Sequence, residues 1–148
     1  MSDQNDIVKL REICGAGVMD CKKALDEAGG DFDKALKIIK EKGLVKSAKR
    51  ADRDTGAGKV FAYVHGGRIG VLLDLRAETD FVVKSDPFQE LAKELLMQIA
   101  ALPAKDVDEL LKQPYVRDEK RTVDELVKEV ISKTGENVRI NAFNRIEI

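Results

Sequence analysis

Apolar residues recur at helical spacing as far as Ile39 and at every second position from Lys59 onward, with Gly56-Ala57-Gly58 at the changeover. One regular element cannot serve both periods, so the chain reads as a helical unit followed by one that contains strands. Glycines cut the helical part into short pieces. Ile7, Leu10 and Arg11 open a first helix that ends at Cys14-Gly15-Ala16-Gly17, since each glycine costs about 1 kcal/mol relative to alanine inside a helix. A second helix fits 20–28, with Cys21, Ala24, Leu25 and Ala28 on one face, and Gly29-Gly30 stops it. Asp31 suits the N-cap of a third, with Phe32, Ala35, Leu36, Ile38 and Ile39 as its apolar side and Gly43 as its expected end. Three helices with turns this small make a compact bundle.

Beyond the changeover, Val60, Ala62 and Val64 alternate with Phe61 and Tyr63. After His65-Gly66-Gly67-Arg68, Ile69, Val71, Leu73 and Leu75 alternate with Leu72, Asp74 and Arg76, which predicts a hairpin. Asp86-Pro87, with Gln89 as capping-box partner, predicts a helix start, and Phe88, Leu91, Leu95, Ile99 and Leu102 supply its stripe. A weaker helix fits 107–111, between Pro103 and Pro114, and the path of 103–121 stays open. Thr122-Val123-Asp124-Glu125 is a capping box for another helix, which Gly135 stops. The last stretch alternates Val138, Ile140, Ala142 and Ile146 against Phe143. The predicted fold is α+β: a helical bundle over 1–54, then a small antiparallel sheet covered by helices over 55–148. Three strands leave sheet edges open, and a two-fold homodimer that continues the sheet through those edges answers that scarcity.

The 148 residues hold 26 basic and 27 acidic side chains, a net charge of −1, so no general field favours nucleic acid. The segment 40–53 is locally basic (Lys40, Lys42, Lys46, Lys49, Arg50 and Arg53) and reads as a solvated linker or as a contact for an acidic partner or RNA. It has no aromatic residue for base stacking, which ranks RNA last. The polar start, Met1 to Asp6, is unlike a signal peptide and no run is long enough to span a membrane, so a cytoplasmic protein is expected. A single histidine, His65, lies in a turn. Cys14 and Cys21, seven apart, fit neither a zinc knuckle nor a redox pair by spacing and read as free thiols. No glycine pair is followed by the lysine and hydroxyl of a phosphate-binding loop. No cofactor, metal or catalytic residue is expected, and the chain is not expected to be an enzyme.

Two segments carry a more specific pattern. In Gly15-Ala16-Gly17-Val18-Met19-Asp20-Cys21-Lys22-Lys23-Ala24-Leu25, Val18 and Met19 sit at a loop-to-helix junction, from which they can fill a core or meet a partner. In Thr79-Asp80-Phe81-Val82-Val83-Lys84, strand parity puts Phe81 on the core face with Leu73, Leu75 and Ala77 if the strand runs on. Both segments, in this order, resemble signatures of the bacterial elongation factor Ts family, and Gly135-Glu136-Asn137-Val138 is similar to it as well. The resemblance implies a ubiquitin-associated-like three-helix bundle that docks on the GTPase elongation factor Tu through Arg11, Val18, Met19 and Lys22. It further implies a second contact through Asp80, Phe81 and Val82. There Phe81, against the parity reading, wedges between helices on the magnesium side of the nucleotide pocket and promotes GDP release. Cys14 stands where the family usually has threonine, Val18 where methionine is usual and Val83 where alanine is common. The chain resembles short family members that hold one core subdomain and pair as dimers through their sheets. The alternative is a protein-binding adaptor that uses the bundle and dimerises through the rest.

Overall fold

A computed structural model describes residues 4–148, without the side chains of 44–47. The polar Met1–Asp3 start and the side chain of Lys46 therefore lie outside the described residues. Three helices come first: α1 (Gln4–Cys14), α2 (Val18–Glu27) and α3 (Phe32–Arg50). They close on Leu10, Cys21, Ala24, Leu25, Ala35 and Ile39, the face that the helical spacing selects. Asp31 caps α3 by accepting from the Lys34 amide at 3.2 Å.

The third helix does not end at Gly43, as its sequence suggested. It continues to Arg50 because Gly43 is a point of close approach: a Cβ there would lie 2.9 Å from the Ser132 hydroxyl of α7 (Val123–Thr134). The missing side chain lets α3 press against α7 and join the bundle to the rest of the molecule. Arg50 then donates to the Ile131 carbonyl at 3.2 Å, and Asn137 Nδ2 donates to the carbonyls of Ala51 (3.3 Å) and Arg53 (3.0 Å). The basic segment is thus stapled to the C-terminal end of α7, whose carbonyls attract cations.

The hairpin forms as predicted, β1 (Ala57–His65) against β2 (Ile69–Ala77), with Gly66 and Gly67 at φ 58° and 69° in the turn. β5 (Val138–Glu147) joins the other side of β2, giving the antiparallel order β1-β2-β5. The simple alternation expected of β5 fails at Asn141. A bulge opposite Asp74 and Leu75 puts two residues of β5 against one of β2. Val138 and Ile140 face the core, whereas beyond the bulge it is Phe143, not Ala142 or Ile146, that packs inward.

Helices α5 (Asp86–Ala101) and α7 cover the sheet's inner face around Leu73, Leu75, Phe88, Leu95, Ile99 and Val123. The α5 N-cap is Ser85 rather than Asp86, placing Pro87 in the first turn, and Gln89 donates to the Val83 carbonyl at 2.7 Å instead of closing a capping box. Thr122 caps α7 as read, accepting from the Glu125 amide at 3.2 Å, and Gly135 ends it at φ 75°. The segment whose path was open holds α6 (Val107–Lys112) and a ribbon of β3 (Pro114–Tyr115) and β4 (Asp118–Thr122). Buried Gln98 pins that ribbon, its amide nitrogen donating to Gln113 Oε1 at 3.0 Å and its oxygen accepting from the Val116 amide at 2.9 Å. Among the described residues no helix is long and apolar enough to cross a membrane.

Candidate partner-binding surfaces

The turn Gly15-Ala16-Gly17 reverses the chain within three residues, with Gly15 at φ 70° where a β-carbon is disfavoured. Gly17 occupies the N-cap of α2 in extended conformation, so Val18 and Met19 begin the helix and project away from its buried face. Val18 is 47% and Met19 60% exposed. Arg11 comes up beside them from α1 and Lys22 from the next turn of α2; all four line one open groove of about 1000 Å³. The structure therefore brings the four bundle residues together. It adds Val8, which is exposed on α1 one turn before Arg11 in the same groove. The i, i+3 spacing of Val8 and Arg11 is the signal that could have found it.

The second surface is built on a strand that stops. β2 ends at Ala77, and Thr79 caps a single-turn helix, α4 (Asp80–Val83), accepting from the Val82 amide at 3.4 Å. The termination overturns the parity reading of Phe81, because helical spacing replaces the two-residue period at that point. Phe81 is 84% exposed and Asp80 is exposed beside it, whereas Val82 and Val83 are 4% and 6% exposed in the core. Val82 thus has almost no side-chain surface to offer a partner; it anchors the turn.

Glu136, in the link from α7 to β5, clamps this turn. Its Oε1 accepts from the Thr79 amide at 3.0 Å and its Oε2 from the Thr79 hydroxyl at 2.7 Å. Glu78 in turn accepts from the Asn137 amide at 3.0 Å, and Ser85 Oγ donates to the Val82 carbonyl at 2.6 Å. A large exposed aromatic ring on backbone held at this many points is suited to insertion, since little freedom remains to be lost when it is covered. Sequence reasoning did not assign Glu136 this part, although Gly135-Glu136-Asn137-Val138 was singled out for its family likeness.

The two surfaces lie on different bodies. α4 packs on β1, β2 and α5, while the bundle meets the remainder chiefly through α3 on α7. Among the described residues no group of three or more His, Cys, Asp or Glu side chains is placed to hold a metal ion. His65 Nδ1 sits 2.7 Å from the Tyr63 hydroxyl at the hairpin end. On the outer sheet face, the Arg76 guanidinium lowers the Asp74 pKa, with Asn141 adding a hydrogen bond.

Residues 78–148 match the family described as Elongation factor TS. Elongation factor Ts of Thermotoga petrophila is 40% identical over 186 residues, covering 96% of this chain and 94% of that protein. Elongation factor Ts of Leptospira biflexa is 38% identical over 188 residues, and the chloroplastic protein of Cyanidioschyzon merolae 40% over 188. These aligned stretches are longer than the 148-residue chain, so the relatives contain residues that this chain bridges directly. The chain belongs to the elongation factor Ts family of translation elongation factors.

Proposed function

We propose that this chain is the guanine-nucleotide exchange factor of elongation factor Tu, acting in the cytoplasm without catalysing a bond change. The observation that carries the reading is Phe81, 84% exposed on a turn fixed by Thr79, Glu136, Val82 and Val83. In this reading residues 1–54 form a docking bundle, whose Arg11, Val18, Met19 and Lys22 meet the GTPase domain. Residues 55–148 form the α+β body that presents Asp80 and Phe81 on the magnesium side of the nucleotide pocket. A nucleotide held at ~1 nM is bound by about −12 kcal/mol and leaves slowly. A factor that binds the nucleotide-free state more tightly weakens the nucleotide by the same coupling factor with which the nucleotide weakens it. An inserted aromatic supported by a second contact can supply a few kcal/mol of that coupling. The test is release of labelled GDP from purified elongation factor Tu with and without the full chain. Marked acceleration is expected, and an unchanged rate at saturating factor refutes the proposal.

The reading includes a homodimer. β1 and β5 are the sheet edges, and Val60, Val64, Leu72, Ile146 and Ile148 stand exposed on the sheet's outer face or at its end. A second copy paired along such an edge continues the sheet and removes apolar surface beside it from water. Light scattering is expected to give twice the 16.4 kDa of one chain; a monomer at micromolar concentration refutes the dimer and leaves the exchange reading standing.

A further inference from the structure

Cys14 and Cys21 look unrelated by spacing, yet the fold brings them together. Cys14 is the last residue of α1 and Cys21 lies in the first turn of α2, on the two sides of the Gly15-Ala16-Gly17 reversal. Cys21 is fully buried in the bundle core, its Sγ donating to the Ala16 carbonyl at 3.8 Å, and Cys14 packs against that same core from the end of α1. Cys14 is half-buried and lines a groove of about 250 Å³ between the bundle and α7, with Ile13, Leu36, Ile39, Arg121 and Glu125. One thiol of the pair is therefore reachable from solvent and the other is not.

We infer that Cys14 and Cys21 form an intramolecular disulfide when the chain meets a hydroperoxide, with Cys14 as the reacting thiol and Cys21 as the resolving one. The order follows from burial. Burial first, and then the neighbouring Cys14 and Asp20, push the Cys21 thiol up to about 11 against the opposing pull of Arg11, so it stays protonated and shielded. Cys14 attacks the peroxide through the groove; the O–O bond breaks, Cys14 becomes a sulfenic acid and the leaving oxygen departs with the thiol proton. The Cys21 sulfur then displaces the sulfenic hydroxyl, which leaves as water with the Cys21 proton. Two thiols lose two electrons and the hydroperoxide gains them. A glycine on each side of Ala16 lets the turn absorb the approach of the two sulfurs. The bond would fasten the turn that presents Val18 and Met19; that consequence rests on the exchange reading, whereas the chemistry does not.

Trypsin cleavage after Arg11 and Lys22 leaves both cysteines in one peptide, 12–22. The full reduced chain is exposed to hydrogen peroxide, unfolded with iodoacetamide and digested. The expected peptide is about 2 Da lighter than its reduced form, free of alkylation and restored by dithiothreitol; oxygen added at Met19 is counted separately. A Cys21→Ser chain is expected to stop at a Cys14 sulfenic acid that dimedone traps, and a Cys14→Thr chain to keep Cys21 unmodified over the same exposure. Two alkylated cysteines in the treated wild type, a link between two chains, or oxidation of Cys21 at the wild-type rate without Cys14 would each overturn the inference. If a variant fails to fold, the wild-type peptide decides alone.

Discussion

Replacing Phe81 by alanine separates a binding role from a folding role with unusual clarity, because its neighbours in the same turn are controls. The ring is 84% exposed, so removing it is expected to change folding stability by less than about 0.5 kcal/mol. Its value would appear only when a partner covers it. Full burial of a phenylalanine side chain is worth about 1.5–3 kcal/mol, and about 1.4 kcal/mol is a factor of ten. Loss of the ring should therefore cut the acceleration of GDP release at sub-saturating factor by about 10- to 150-fold. Val83→Ala should do the reverse. With 6% exposure it loses two buried methyl groups and leaves a small cavity, costing about 2 kcal/mol of stability. It should spare exchange at temperatures where the chain remains folded. The assay pairs stopped-flow release of a fluorescent GDP analogue with urea unfolding of each variant. If Phe81→Ala exchanges like the wild type, the ring is not the anchor. If it unfolds as easily as Val83→Ala, the exposure argument itself is wrong.

Other consequences of the fold can be measured on the isolated chain. Asn137→Ala withdraws the donors that hold the Ala51 and Arg53 carbonyls, and should cost about 1–3 kcal/mol in chemical denaturation. Gly135→Ala forces a β-carbon into the left-handed conformation that ends α7 and should cost about 1–2 kcal/mol, read as a lower urea midpoint with unchanged slope. In alkali, burial raises the Cys21 thiol from 9.0 to about 11, and burial with the Glu94 hydrogen bond raises the Tyr115 hydroxyl from 10.0 to about 12. The unfolded chain loses these protons first, so stability held below pH 9 should decline between pH 9 and 12, and a flat urea midpoint across that range would contradict it.

Much of this architecture was legible because local chemistry and tertiary structure agree. The caps at Asp31 and Thr122, the Gly66-Gly67 hairpin turn and the left-handed stop at Gly135 each satisfy a local need that the fold leaves undisturbed. The failures share another cause: a distant residue decided the outcome. Gly43 resembles a helix stop, yet Ser132, far along the chain, makes it a contact point and carries α3 onward. Asn141 interrupts β5 where it faces Asp74, its amide donating to that carboxylate at 2.8 Å, and so turns Ile146 outward and Phe143 inward.

The candidate site divides in the same way. Val18 and Met19 follow glycines that dictate a reversal, yet their own segment leaves core and surface both open, and it is the N-cap at Gly17 that sets them on the exposed side of α2. Phe81 is different. Nothing within its own segment excludes four more residues of strand, and continued strand would have placed it in the core. The strand ends where Glu136 accepts both polar hydrogens of Thr79 and where Val82 and Val83 are drawn inward at helical spacing. That clamp comes from a segment 57 positions away. Strand periodicity alone would have buried the residue that the family resemblance placed outside, and the long-range hydrogen bonds supply the physical reason. A Glu136→Gln change keeps the shape but weakens an acceptor that must take two donors. Exchange should fall while the fold persists, placing the clamp in the binding machinery; full exchange with Glu136→Gln would show that α4 holds its place through Val82 and Val83 alone.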